Sequence, residues 1–224
     1  VMIIAGSGMP VGGWGMMLFP CSDVAAAEWI ATSDKHWWDL VTLGPPGFPA
    51  YARLRFIPDP AYDGQVENEG ARQDGPLSDG ALSESEQLRI AVKTLLQQTS
   101  MPVEGYLLMW DGWGEEMFPE RVLRTPRVMI PPHEADSGRE YYLCRVSLPN
   151  FVSGAVEDSW EADTDLPMPT PAFIWPSSRV WCITSDVDPH WAGVGAEHAL
   201  IDSLLADPRL DIVRVEAHQK LPFY

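Results

Sequence analysis

Apolar and polar positions along the chain switch between two periods. Tyr51 to Ile57 alternates, with Arg53 and Arg55 on one side, and predicts a strand that Pro58 and Pro60 end. Leu88, Ala91, Val92, Leu95 and Leu96 recur at helical spacing and predict a helix over 84–99 with one buried face. Ser83 and Glu86 stand three apart at its start, the spacing of a capping box. A shorter helix is expected over Asp23–Ala31 behind Ser22, and another over Ala196–Ala206. Further strands are expected at Gly105–Trp110, Arg127–Ile130, Arg139–Ser147, Ala172–Trp175, Arg179–Ser185 and Leu210–Val215. Asp111-Gly112 carries a hairpin-type turn signal.

Strands clustered in the middle, with helices before and after, point to an α+β fold. The expected core is an antiparallel or mixed β-sheet with about three helices packed on it. Residues 17–224 read as a single domain, with no internal repeat. Residues 1–16 read as a flexible glycine-rich leader. Gly6-Ser7-Gly8 superficially suggests a phosphate-cradling turn, but Pro10, the Gly12-Gly13 pair and Gly15 keep that segment irregular. Two stretches read as acidic loops. From Asp59 to Glu86, eight acidic residues stand against the single Arg72, with the loop itself over 59–83, and 157–171 holds five acidic residues and no base.

Charge narrows the partner. With 15 Lys and Arg against 32 Asp and Glu, the net charge is −17. Phosphate backbones and anionic lipid would repel such a chain, so neither nucleic acid nor a membrane surface is an expected partner. A basic protein would be attracted, and its encounter accelerated. No apolar run reaches the roughly 18 residues of a membrane span. Cys21, Cys144 and Cys182 cannot all pair and show no CxxC spacing, which favours a reducing, cytoplasmic setting without a structural zinc.

Two clusters carry candidate chemistry. Asp186, Asp188 and His190 alternate after an apolar strand, where two carboxylates and an imidazole could hold a divalent cation or supply an acid–base pair. His198, opening the next helix, could join them. Asp186-Val-Asp188-Pro189 suits a structural turn equally well. The spacing resembles the DxD motif of haloacid-dehalogenase-type phosphatases, but sits late in the chain and lacks a following Gly-Thr. The second cluster is aromatic. Ten tryptophans are present, and Trp110, Asp111, Trp113 and Trp191 lie at or beside turns, where they could stack on a ligand or anchor an interface. Trp113 and Trp191 are expected near the surface.

The stretches Ala172–Ala196, with Phe-Ile-Trp-Pro and Asp-Val-Asp-Pro-His-Trp-Ala-Gly-Val-Gly-Ala, and Gly44–Pro60 resemble uncharacterised proteins of GC-rich bacteria. The resemblance implies a bacterial origin and no mechanism.

The expected function is a non-enzymatic, acidic protein-binding module, of the immunity or antitoxin kind, engaging a basic partner and needing no cofactor. A metal-dependent hydrolase centred on Asp186, Asp188 and His190 is the alternative. Carbohydrate or small-ligand binding through Trp110 and Trp113 is the third reading.

Overall fold

The computed structural model describes residues 17–69, 82–99, 103–130, 138–216 and 219–224. Its centre is a nine-stranded sheet in which every pairing is antiparallel. The strands are β1 (Leu18–Pro20), β2 (Ala50–Arg55), β3 (Glu104–Trp110), β4 (Arg127–Ile130), β5 (Arg139–Ser147), β6 (Phe173–Pro176), β7 (Trp181–Ser185), β8 (Trp191–Ala196) and β9 (Ile212–Val215). Their order across the sheet is β1-β5-β3-β6-β7-β8-β2-β9, with β4 also paired to β5. β5 is long enough for one edge to be shared, β4 taking Arg139–Tyr142 and β1 taking Cys144–Val146.

Both faces of the sheet are covered, because both sets of alternating side chains are apolar. Leu107, Met109, Cys144, Ile174, Ile183 and Val194 point to one face. There they meet α3 (Glu84–Gln98), α5 (Leu148–Val152), α6 (Ala155–Thr164) and α7 (His198–Leu205), with α4 (Glu120–Leu123) completing the cover. Leu108, Tyr141, Leu143, Phe173, Trp175 and Cys182 point to the other face. That face is covered by α1 (Glu28–Ala31), α2 (Trp37–Leu43) and a ring of partly buried tryptophans. The result is an α+β fold with more helices than the three expected.

The helix over 84–98 forms as its spacing requires. Leu88, Ala91, Val92 and Leu95 are buried, and the capping box is present, Glu86 N donating to Ser83 Oγ at 3.3 Å and Ser83 N to Glu86 Oε2 at 2.8 Å.

Four expectations are corrected. The acidic stretch from 157 is not a loop at its start: α6 runs to Thr164, held by buried Val156 and Trp160 four apart and by ion pairs of Glu157 with Arg89 and Asp163 with Arg121. Trp160 Nε1 also donates to Met117 O at 3.0 Å. Asp111-Gly112 does not turn a hairpin, since β3 runs into a 3-10 turn at Asp111–Trp113 and pairs with β5 and β6. Trp37–Leu43 is helical, where no element was expected.

The fourth correction is the most consequential. Trp191–Ala196 is a strand, β8, fully buried between β7 and β2. Its glycines argue against a strand on propensity. Here they are required by close approach: a Cβ at Gly193 would lie 2.4 Å from Thr42 O, and one at Gly195 would lie 2.4 Å from the Phe48 ring. The end of α2 and the loop after it therefore press directly onto the sheet.

The leader over 1–16, including Gly6-Ser7-Gly8, lies outside the described residues, as do 70–81 of the stretch expected to be the first acidic loop and residues 131–137. Among the described residues, no helix is long and apolar enough to cross a membrane.

Candidate functional site

The antiparallel registers bring one set of strand ends together. Trp110 pairs with Tyr141, Phe173 with Thr184, Ser185 with Ala192 and Arg55 with Trp191. The exits of β2, β3 and β7 and the starts of β5 and β8 thus share one end of the sheet. A cleft of about 160 Å³ opens there. Phe56, Trp110, Trp113, Arg139, Ser185, Asp186, Val187 and His190 line it, and Glu67 and Glu84, the latter opening α3, close its far wall. A shallower depression beyond it shares Trp110 and Arg139 and adds Trp37, Asp111, Met129 and Glu140.

Arg139 forms the ridge between the two depressions. Its guanidinium lies over the Trp37 ring at 5.3 Å and the Trp110 ring at 4.7 Å. It pairs with Asp186, whose side chain is only 1% exposed, and more loosely with Asp188 at 3.5 Å. The second Asp186 oxygen accepts from Val187 N at 2.7 Å. Asp186 is therefore compensated in place, while exposed Asp188 shares the same guanidinium loosely.

His190 is turned to a different partner. Its Nε2 lies 3.1 Å from Asp59 Oδ1, which makes Nε2 the donor to an ionised carboxylate. Arg53, buried under Trp191, binds Asp59 through both carboxylate oxygens at 2.6 and 2.9 Å, and Arg55 adds a third bond at 3.0 Å. Burial pushes the Asp59 carboxyl up, but the hydrogen bonds from Arg53 and His190 and the charge of Arg53 outweigh it and hold its pKa at about 2. Burial pushes His190 below its ordinary value, more than the bond and charge of Asp59 raise it. Tyr224 packs edge-on against the imidazole at 4.7 Å, and its hydroxyl donates to Pro58 O.

The far wall differs. Among the described residues, neither Glu67 nor Glu84 is met by a cationic side chain or a side-chain hydrogen bond. Although Glu84 stays at the surface, the protein mass around it and then the charge of Glu67 push its pKa up. Ser185 is 7% exposed, lines the cleft and has a hydroxyl without a partner among the described residues.

Asp186, Asp188 and His190 thus sit in one turn between β7 and β8, yet their side chains do not converge, and the described residues hold no group of three or more acidic, His or Cys side chains placed for a metal. His198 lies beyond the other end of β8, roughly 20 Å of strand away. Trp110 and Trp113 do meet, edge to face at 6.1 Å, and Trp113 is 39% exposed. Asp111 pairs with Arg127 at 3.0 Å on the outer side of the ridge. Trp191, expected near the surface, is buried, its Nε1 donating to Thr42 O at 3.1 Å.

Sequence reasoning missed Arg139, Ser185, Glu67, Glu84 and Asp59 as parts of this place. Arg139 and Ser185 look like ordinary strand termini, and the glutamates like two more charges in an acidic run. The pair Arg53 and Arg55 was the one signal available, since two arginines on the same face of a buried strand call for a carboxylate, and Asp59 stands four residues on.

No protein-family model, no curated protein and no solved structure matches this chain.

Proposed function

We propose that this protein is a non-enzymatic binding module that engages a basic protein partner at the Trp110–Trp113 cleft. The observation that carries the reading is an asymmetry within one cleft. Its arginine is already engaged by Asp186 and Asp188, while Glu67 and Glu84 line the cleft without counter-cations among the described residues. Three carboxylates against one guanidinium, with His190 disposed to stay neutral, make the lining acidic. The charge of −17 extends that field over the molecule and steers a basic partner toward it. Exposed Trp113, Val187 and Met129 around the two depressions add the apolar contact that a protein interface needs and a lone metabolite does not. The hydrolase reading has less support, because Arg139 and Asp59 already occupy the groups it requires.

The test is association of a panel of basic, neutral and acidic peptides with the immobilised full chain. Basic peptides should bind selectively and lose most of their on-rate when salt is raised from about 0.05 to about 0.5 M, where the Debye length shortens several-fold. The double variant Glu67→Gln/Glu84→Gln should lose affinity at both salt levels. Equal binding of acidic and basic peptides, or no effect of the double variant, would overturn the proposal.

A further inference from the structure

We infer that the group taken into this cleft is a guanidinium, an arginine side chain presented by the partner. The inference deepens the proposed function and rests on it, because a basic partner offers either arginine or lysine and the cleft distinguishes them.

Three features favour the planar cation. Trp113 offers an exposed ring beside Trp110, a surface on which a guanidinium stacks and a hydrated ammonium does so less well. Acceptors in the lining come from separate elements: Glu67, Glu84 at the start of α3, and the Ser185 hydroxyl at the end of β7. Ser185 is an independent pointer: the residue is only 7% exposed, it lines the cleft, and its hydroxyl has no hydrogen-bond partner among the described residues. The five donors of a guanidinium, held in a fixed plane, can serve several acceptors at once, whereas an ammonium is a compact point charge. The cleft, about 160 Å³, has room for such a head group and part of its stem, being on the order of five water volumes.

The wall beside the cleft shows the same recognition already made within the chain. Arg139 lies between Trp37 and Trp110 and ends on Asp186 and Asp188. A partner's arginine would repeat it, with Trp113 as the ring and Glu67 and Glu84 as the acids. An anionic guest is disfavoured by the same carboxylates, and Arg139 is engaged.

The experiment titrates the full chain with N-acetyl-arginine amide, N-acetyl-lysine amide and N-acetyl-citrulline amide at low salt, by calorimetry and by the indole N–H shifts in NMR. Citrulline keeps the shape of arginine and removes its charge. The arginine probe should bind saturably, several-fold more tightly than the lysine probe, and citrulline should show no binding. Glu84→Gln and Ser185→Ala should each weaken the arginine probe several-fold, and Trp113→Ala should abolish its binding while thermal unfolding stays unchanged. Equal binding of the arginine and lysine probes would overturn the arginine assignment and leave the basic-partner reading standing. If neither probe binds while basic peptides still do so through Glu67 and Glu84, the guanidinium site is wrong and the surface reading survives. If basic peptides fail as well, both fall.

Discussion

The two walls of the cleft use the same residue type in opposite ways. On one, Asp186 is tied to Arg139, and outside the lining Asp59 is held by Arg53 and Arg55; Arg53 and Arg139 each lie over a tryptophan. On the other, Glu67 and Glu84 stand beside each other and, among the described residues, without a cation. The paired carboxylates tie strand ends together, and on the proposed reading the other two receive the guest. Carboxylates that look most like a site in sequence are spent on structure here, and inconspicuous ones remain available. A buried charge must be compensated where it sits, so the aspartates nearest the core are the first to be taken.

The largest test of this contrast is Arg139→Ala beside Glu84→Gln. The first leaves the buried Asp186 side chain with one backbone donor and no cation, and should cost about 3–5 kcal/mol in chemical denaturation. The double variant Arg139→Ala/Asp186→Asn should recover part of that loss. If Arg139→Ala cost no more than Glu84→Gln, the division into structural and available acids would be wrong.

Acid denaturation comes next. Asp59 has a folded pKa depressed from 3.8 to about 2, so its stabilisation is present above 3.8 and lost as pH falls through that window, about 2 kcal/mol in all. His190 has a depressed folded pKa, so its neutral form favours folding above 6.5 and stability begins to fall as pH drops below that value. Asp59→Asn should start lower in stability and flatten the slope below pH 4, as read by urea midpoints at stepped pH.

The smallest effect belongs to the unpaired wall. Glu84 has a raised folded pKa, so the folded state favours its protonated form and gives up stability as pH rises through the titration. At this exposed position screening limits the effect, and Glu84→Gln should stabilise by no more than a few tenths of a kcal/mol at neutral pH and low salt. A loss of stability in that variant would show that its charge at the N-terminus of α3 outweighs the cost of its desolvation.

Legibility along the chain followed locality. The helix over 84–98 was readable because its cap and its apolar stripe are set by neighbours three and four residues apart. β2, β3 and β5 were readable from alternation. β8 was not, because what makes it a strand is the backbone of α2 lying on Gly193, a contact between segments about 150 residues apart. α6 was hidden for a related reason: its acids are neutralised by Arg89 and Arg121 from other helices.

The site divides the same way. The residues of the β7–β8 turn and the Trp110–Trp113 pair were visible as clusters, since adjacency in sequence places them together whatever the fold. By itself the sequence determined the α+β class, the acidic field and the tryptophans beside the turns, all of which follow from composition and short-range periodicity. Tertiary structure alone decided that Arg139 would meet Asp186 and Asp188, that Asp59 would take His190, and that Glu67 and Glu84 would have no cationic partner among the described residues. Which charges meet depends on strand register and on the desolvation of each group, and neither is fixed until the sheet has assembled.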